Sequence, residues 1–146
     1  MKNLLCMARA MAKVLTLSDI DAAGKTVLLR VDINSPMDPK TKGFLDNTRI
    51  RAIVPTLNKL KSAKVVILAH QSRPGKYDFT STLVHARELG RLIGRKVQWV
   101  NDIHGPKAMK AIESLNNGDI LMLNNVRMDD EEHIKGDFHS LSETKF

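Results

Sequence analysis

Asp32 and Asn34 stand two residues apart at the end of an apolar run, in the stretch RVDINSPMD (Arg30 to Asp38), with Pro36 close behind. His70, Gln71, Ser72 and Arg73 follow a second apolar run, KVVILA. Asp102 and His104 follow a short third one, and Asn124, Asn125 and Arg127 follow DILML. Arg49 stands near the start of a helical pattern. Guanidinium forks match phosphate or carboxylate oxygens in planar pairs. Each charge-assisted hydrogen bond is worth about 1.5–3 kcal/mol net, so a few suffice for a small phosphorylated acid at micromolar to millimolar affinity. An ionised Asp32 repels phosphate but accepts a hydrogen bond from a hydroxyl. Arg49, Arg73, Arg127 and His70 beside one such acceptor point to an acid carrying phosphate, carboxylate and hydroxyl. Each residue also has a local reading. Asp32 and Asn34 are good turn formers, Arg49 and Arg51 can solvate a helix face, and Arg30 reads as structural. The remaining histidines show no metal-ligand spacing.

The elements that must bring these residues together follow from periodicity. Val27–Ile33 and Lys64–Ala69 read as strands, being short, apolar and β-branched. Ile50, Ile53, Val54, Leu57 and Leu60 share one helical face behind a capping Asp46 or Asn47, with Pro55 expected to kink the helix. Thr82 to Ile93 is a second helix ended by Gly94. Val97–Val100 is a third strand. Pro106 opens a third helix whose inner face is Ala108, Ala111, Ile112 and Leu115. Asp119–Leu123 is a fourth strand. The alternation predicts an α/β fold, a parallel sheet with helices on both faces. In such sheets ligands bind beyond the carboxyl ends of the strands, where the polar residues above all fall.

Composition narrows the function class. The chain has 146 residues, 42% hydrophobic and 27% charged, enough for one domain and one core. No apolar stretch approaches the roughly 20 residues of a membrane span. The single cysteine, Cys6, excludes an internal disulfide and fits a reducing cytoplasm. The net charge of +7 fits small anions or nucleic acid, but the sparse aromatics disfavour base stacking. Residues 1–12 (MKNLLCMARAMA) lack a signal-peptide core and read as an extension, disordered or helical, with Met11 a second plausible start. Residues 13–146 form the α/β domain. Ser140 to Glu143 has the S-x-x-E form of a capping box, which reads as a chain cut where its next element begins. Nucleotide-binding glycine signatures, G-x-x-x-x-G-K-[ST] and G-x-G-x-x-G, do not occur.

Four segments, RVDINSP, DNTRIRAIVPTL, AHQSRPGK and NNVRM, resemble in order and spacing the N-terminal segments of phosphoglycerate kinase, archaeal members most of all. The resemblance runs from about Val14 to the last residue. It implies the N-terminal, Rossmann-like, 3-phosphoglycerate-binding part of a two-domain enzyme, cytoplasmic and mostly monomeric. Such an enzyme moves a phosphoryl group between 1,3-bisphosphoglycerate and ADP, with ADP or ATP and Mg2+ held by the other domain. It assigns Asp32 and Asn34 to the hydroxyl and carboxyl end of the substrate, and His70 and Arg73 with Arg127 to the phosphate. Ile33, Gln71 and Ser72 are implied to bind substrate as well, and Arg49 steadies the phosphoryl group in transfer. Where the family carries Glu, Asn124 stands here, and a local packing change is expected. The nucleotide half lies outside the resemblance, so this chain by itself is expected to be inactive, and an incomplete sheet with an open edge invites self-association. Two alternatives stay open: an anion-binding module without catalysis, and a basic nucleic-acid binder with salt-sensitive affinity.

Overall fold

In a computed structural model of the chain, residues 14–129 and 132 are described. The expected N-terminal extension, the capping box at Ser140, Asp130, Glu131, His133 and His139 lie outside them. After a 3-10 turn at Leu17–Asp19 the order is β1 (Thr26–Arg30), α1 (Thr48–Ala52), α2 (Val54–Lys59), β2 (Lys64–Leu68), α3 (Leu83–Ile93), β3 (Gln98–Trp99), α4 (Pro106–Glu113) and β4 (Ile120–Met122). All four strands are parallel, in the spatial order β1-β2-β4-β3.

Strand alternation builds two cores. On one face Val65, Ile67, Ile120 and Met122 meet Ile50 of α1, Leu57 of α2, and Ala86 and Leu89 of α3. On the other, Val66 and Leu121 meet Ala108 of α4 and Leu115 just beyond it. Helices therefore cover both faces, as the near-continuous apolar strands require. On the α4 face the cover is uneven. Leu28 of β1, in register with Val66, is 64% exposed.

The elements differ from their sequence limits at the ends. The first strand stops at Arg30 rather than Ile33, although Ile33 is fully buried. The helix expected to kink at Pro55 is instead two helices broken at Ile53. Proline has no N–H and displaces the preceding turn, so it settles in the first turn of α2, and the ladder restarts with Leu57 N–H donating to the Ile53 carbonyl (3.1 Å). The third and fourth strands are shorter than expected because pairing between them is confined to Gln98–Leu121 and Trp99–Met122. Gly94 ends α3 in the left-handed region (φ 68°), the conformation that favours glycine.

Candidate functional site

The loops after β1, β2 and β4 enclose an open cavity of about 480 Å3. Asn34 comes from the first loop, His70, Ser72 and Arg73 from the second, and Arg127 from the last. Lys76, Tyr77 and Asp78, further along the second loop, complete the wall. The adjacency of β1, β2 and β4 in the sheet is what makes these loops neighbours.

Local chemistry sets each position. Asn34 N–H donates to its own turn acid, Asp32 Oδ1 (3.2 Å), and Asn34 Oδ1 accepts from Ser72 N–H (3.0 Å), so the first two loops are joined. Ser72 stands at φ 58°, a left-handed turn that costs a non-glycine residue about 1 kcal/mol or more. Its hydroxyl donates to Asp78, and its carbonyl accepts from Arg127 Nη1 (2.7 Å). Asn125 is fully buried. Its Nδ2 donates to the carbonyls of Gln71 and Thr80 (both 2.8 Å), and its Oδ1 accepts from Arg127 N–H (3.2 Å). Arg127 Nε also lies 3.9 Å from Glu132. Arg49 does not line the cavity. It pairs with Asp32, and the side chains are 53% and 59% exposed respectively.

The wall is cationic, with one acid at Asp78. His70 is pushed below the ordinary histidine range, first by burial and then by the positive charge of Arg127, against a weaker opposing pull from Asp32. It is therefore a neutral imidazole at pH 7, offering one N–H beside permanently charged guanidinium groups. Such a wall grips phosphate or carboxylate oxygens through Arg73, Arg127 and Lys76 while Asn34 and His70 supply neutral polar contacts.

Of the residues assigned from sequence, Asn34, His70, Ser72, Arg73 and Arg127 meet in this wall. Ile33 and Gln71 do not. Both side chains are fully buried and turned inward. Asp102 and His104, at the end of β3, also stay away. Asp102 caps α4, accepting from Ala108 N–H (2.9 Å), Ile103 N–H (2.8 Å) and Gly105 N–H (3.2 Å). Those amides, Ala108 foremost, hold its carboxyl below the usual range. A Cβ on Gly105 would meet Asp102 Oδ2 at 2.8 Å, so the cap needs glycine there. His104 pairs with Asp129 (2.5 Å). Asn124 bridges to Asn101 Oδ1 (2.7 Å) and Met128 Sδ (3.3 Å), tying the β3 and β4 loops together, and does not line the cavity. Lys76 was not assigned in advance. Its signal was present in the polar loop HQSRPGKYD, which is longer than a turn needs. Among the described residues no group of three or more His, Cys, Asp or Glu could hold a metal ion, and no helix is long and apolar enough to cross a membrane.

The family model for phosphoglycerate kinase matches residues 17–144. The chain is 55% identical over 122 residues to phosphoglycerate kinase of Methanosarcina mazei, covering 83% of this chain and 29% of that one. It is 48% identical over 122 residues to the Thermoplasma volcanium protein of the same name, covering 84% and 30%. Among solved structures, phosphoglycerate kinase from Pyrococcus horikoshii superposes with a TM-score of 0.83 at 36% identity, over 90% of this chain and 33% of that one. The Coxiella burnetii enzyme gives 0.62 at 27% identity, over 80% and 29%. The chain thus spans 29–30% of the length of these two curated relatives.

Proposed function

The chain belongs to the phosphoglycerate kinase family, and from that premise we propose that it carries the 3-phosphoglycerate side of that enzyme. The reaction is reversible transfer of a phosphoryl group between the acyl phosphate of 1,3-bisphosphoglycerate and ADP, giving 3-phosphoglycerate and ATP in glycolysis and gluconeogenesis. One observation carries the reading. Arg73, Arg127, His70 and Asn34, from three separate loops, converge on a single cavity at the carboxyl ends of the strands.

In this reading His70, Arg73 and Arg127 take the substrate phosphate, with Lys76 adding charge. The segment Asp32, Ile33 and Asn34 takes the hydroxyl and carboxyl end, Ile33 through its main chain because its side chain is buried. Arg49, paired with Asp32 outside the cavity lining, neutralises charge on the phosphoryl group as it moves, which is what phosphoryl transfer demands of a protein. The family works with a magnesium nucleotide. By the resemblance that nucleotide and its magnesium belong to the other domain. What this chain supplies is binding, orientation and charge neutralisation at the acid.

Calorimetry tests the reading. Saturable heat with 3-phosphoglycerate is expected, with none from ADP or ATP. No heat with 3-phosphoglycerate would overturn it. Salt-sensitive binding of nucleic acid in its place favours the basic binder.

A further inference from the structure

We propose that Gln71 is a positioning residue for the anion cavity, clamped between Ser35 and the buried His85 so that the first two loops keep their mutual register. The proposal rests on the cavity being the phosphoglycerate site. Gln71 lies between His70 and Ser72, both in the cavity wall, but its own side chain points inward and is fully buried. Its amide Oε1 accepts from Ser35 N–H (3.1 Å), and its Nε2 donates to the Ser35 carbonyl (3.0 Å). A backbone N–H can only donate and a carbonyl can only accept, so these two contacts settle which end of the amide is oxygen. That oxygen also lies 2.9 Å from His85 Nε2. His85 Nε2 must therefore carry the proton, and its Nδ1 is the bare nitrogen. Nδ1 indeed has no hydrogen-bond partner. Phe44 packs edge-on against the ring, with centroids 4.7 Å apart. Burial lowers the ring to about 4, which keeps it neutral.

One amide thus joins the loop after β1, the loop after β2 and α3. Asn125 adds the loop after β4 by donating to the Gln71 carbonyl. The neighbours of the clamp, Asn34 and Ser72, are the pair whose hydrogen bond sets one cavity wall. The Ser72 carbonyl in turn seats Arg127. Removing the clamp leaves buried donors and acceptors unpaired and lets Asn34 slide against Ser72 without touching any ligand contact directly.

The experiment measures 3-phosphoglycerate affinity by calorimetry and stability in urea for the unaltered chain, Gln71→Leu, His85→Leu, His85→Gln and Leu89→Ala. Leu89 is buried in the same core on α3 and serves as a stability-matched control. Gln71→Leu and His85→Leu are expected to weaken binding about tenfold or more. His85→Gln, whose amide nitrogen can take the place of Nε2, restores affinity to within about threefold. Leu89→Ala loses comparable stability yet binds within about threefold of the unaltered chain. Ring nitrogen shifts of His85 in the unaltered chain should report the Nε2–H tautomer. Full affinity in Gln71→Leu, equal affinity loss in Leu89→Ala, or an Nδ1–H tautomer would each overturn the clamp. If Gln71→Leu does not fold, the tautomer and the His85 pair decide in the same way. Absence of binding in the unaltered chain sinks the site reading first and the clamp with it, whereas binding that survives Gln71→Leu sinks the clamp alone.

Discussion

The loops after β1, β2 and β4 and the loop after β3 leave the same edge of the same sheet, yet they are held differently. The first set is held by side chains that reach across long sequence separations: Gln71 to Ser35, Asn34 to Ser72, Asn125 to Gln71 and Thr80, and Arg127 to Ser72. The loop after β3 is built around its own Asp102, whose side-chain partners lie no more than six residues away, and its longer-range side-chain links, Asn101 to Asn124 and His104 to Asp129, run only to the segment after β4. Strand order bears on the difference. β1 and β3 are the two edge strands, and β3 pairs only with β4, at the far side of the sheet from β1 and β2. The cavity forms among loops joined through the buried amides of Gln71 and Asn125, whereas the Asp102 carboxylate is consumed in capping α4.

The sharpest way to break this contrast is acid. His85 sits in the cross-linked region with its constant lowered from 6.5 to about 4 by burial. The unfolded chain takes up that proton first. The stability therefore is fully present above about pH 6.5, is lost as pH falls toward 4, and loses no more from this group below that. At about 1.4 kcal/mol per unit the loss comes to about 3 kcal/mol. Asp102, lowered from 3.8 by backbone amides, contributes above its ordinary value and is lost only at lower pH, as pH falls through its folded constant. Urea midpoints against pH should show the first loss in the unaltered chain and a flatter profile in His85→Gln. A level profile between pH 6.5 and 4 contradicts the assignment.

Next in size, Arg127→Ala should weaken 3-phosphoglycerate about 10- to 100-fold, the loss of charge-assisted contacts worth about 1.5–3 kcal/mol. Calorimetry reads it, and an unchanged affinity removes Arg127 from the site. Asp102→Ala should do the converse, lowering stability by about 1 kcal/mol through the lost cap while leaving affinity alone. If affinity falls with it, the loop after β3 belongs to the site after all. The smallest effect is on Arg49→Ala. Its pair with Asp32 is more than half exposed, and such pairs contribute about 0–1 kcal/mol. Thermal denaturation should move little, and a large shift would mean the pair is structural.

Much of the scaffold was legible in one dimension. Gly94 and Pro106 marked element ends because their backbone preferences act locally, and Pro55 announced a disruption for the same reason, though as a break rather than a bend. Val65 to Ile67 read as a strand covered on both faces, and it is one. Strand order was not legible, because parallel crossovers leave no local trace. Asp102 and His104 consequently looked equal to Asn34 and Arg127. Nor was the inward turn of Gln71, since its neighbours in an irregular loop do not follow strict alternation. His85 looked unremarkable because its partner lies 14 residues away and is itself a buried amide. Ser72 in a left-handed turn could not be foreseen from its type.

The strand order has one more outcome, in the time domain. β4 is the last strand of the described chain and lies between β2 and β3. During synthesis β1 and β2 can pair early, but β3 emerges before any neighbour exists for it. Until residues 120–122 leave the ribosome, the sheet is one ribbon and a stranded segment, and both apolar faces are half built. Each of β4's flanking ladders closes a loop in the chain, and such non-local closures slow folding. The middle of the sheet is therefore its keystone, set after the stones on either side.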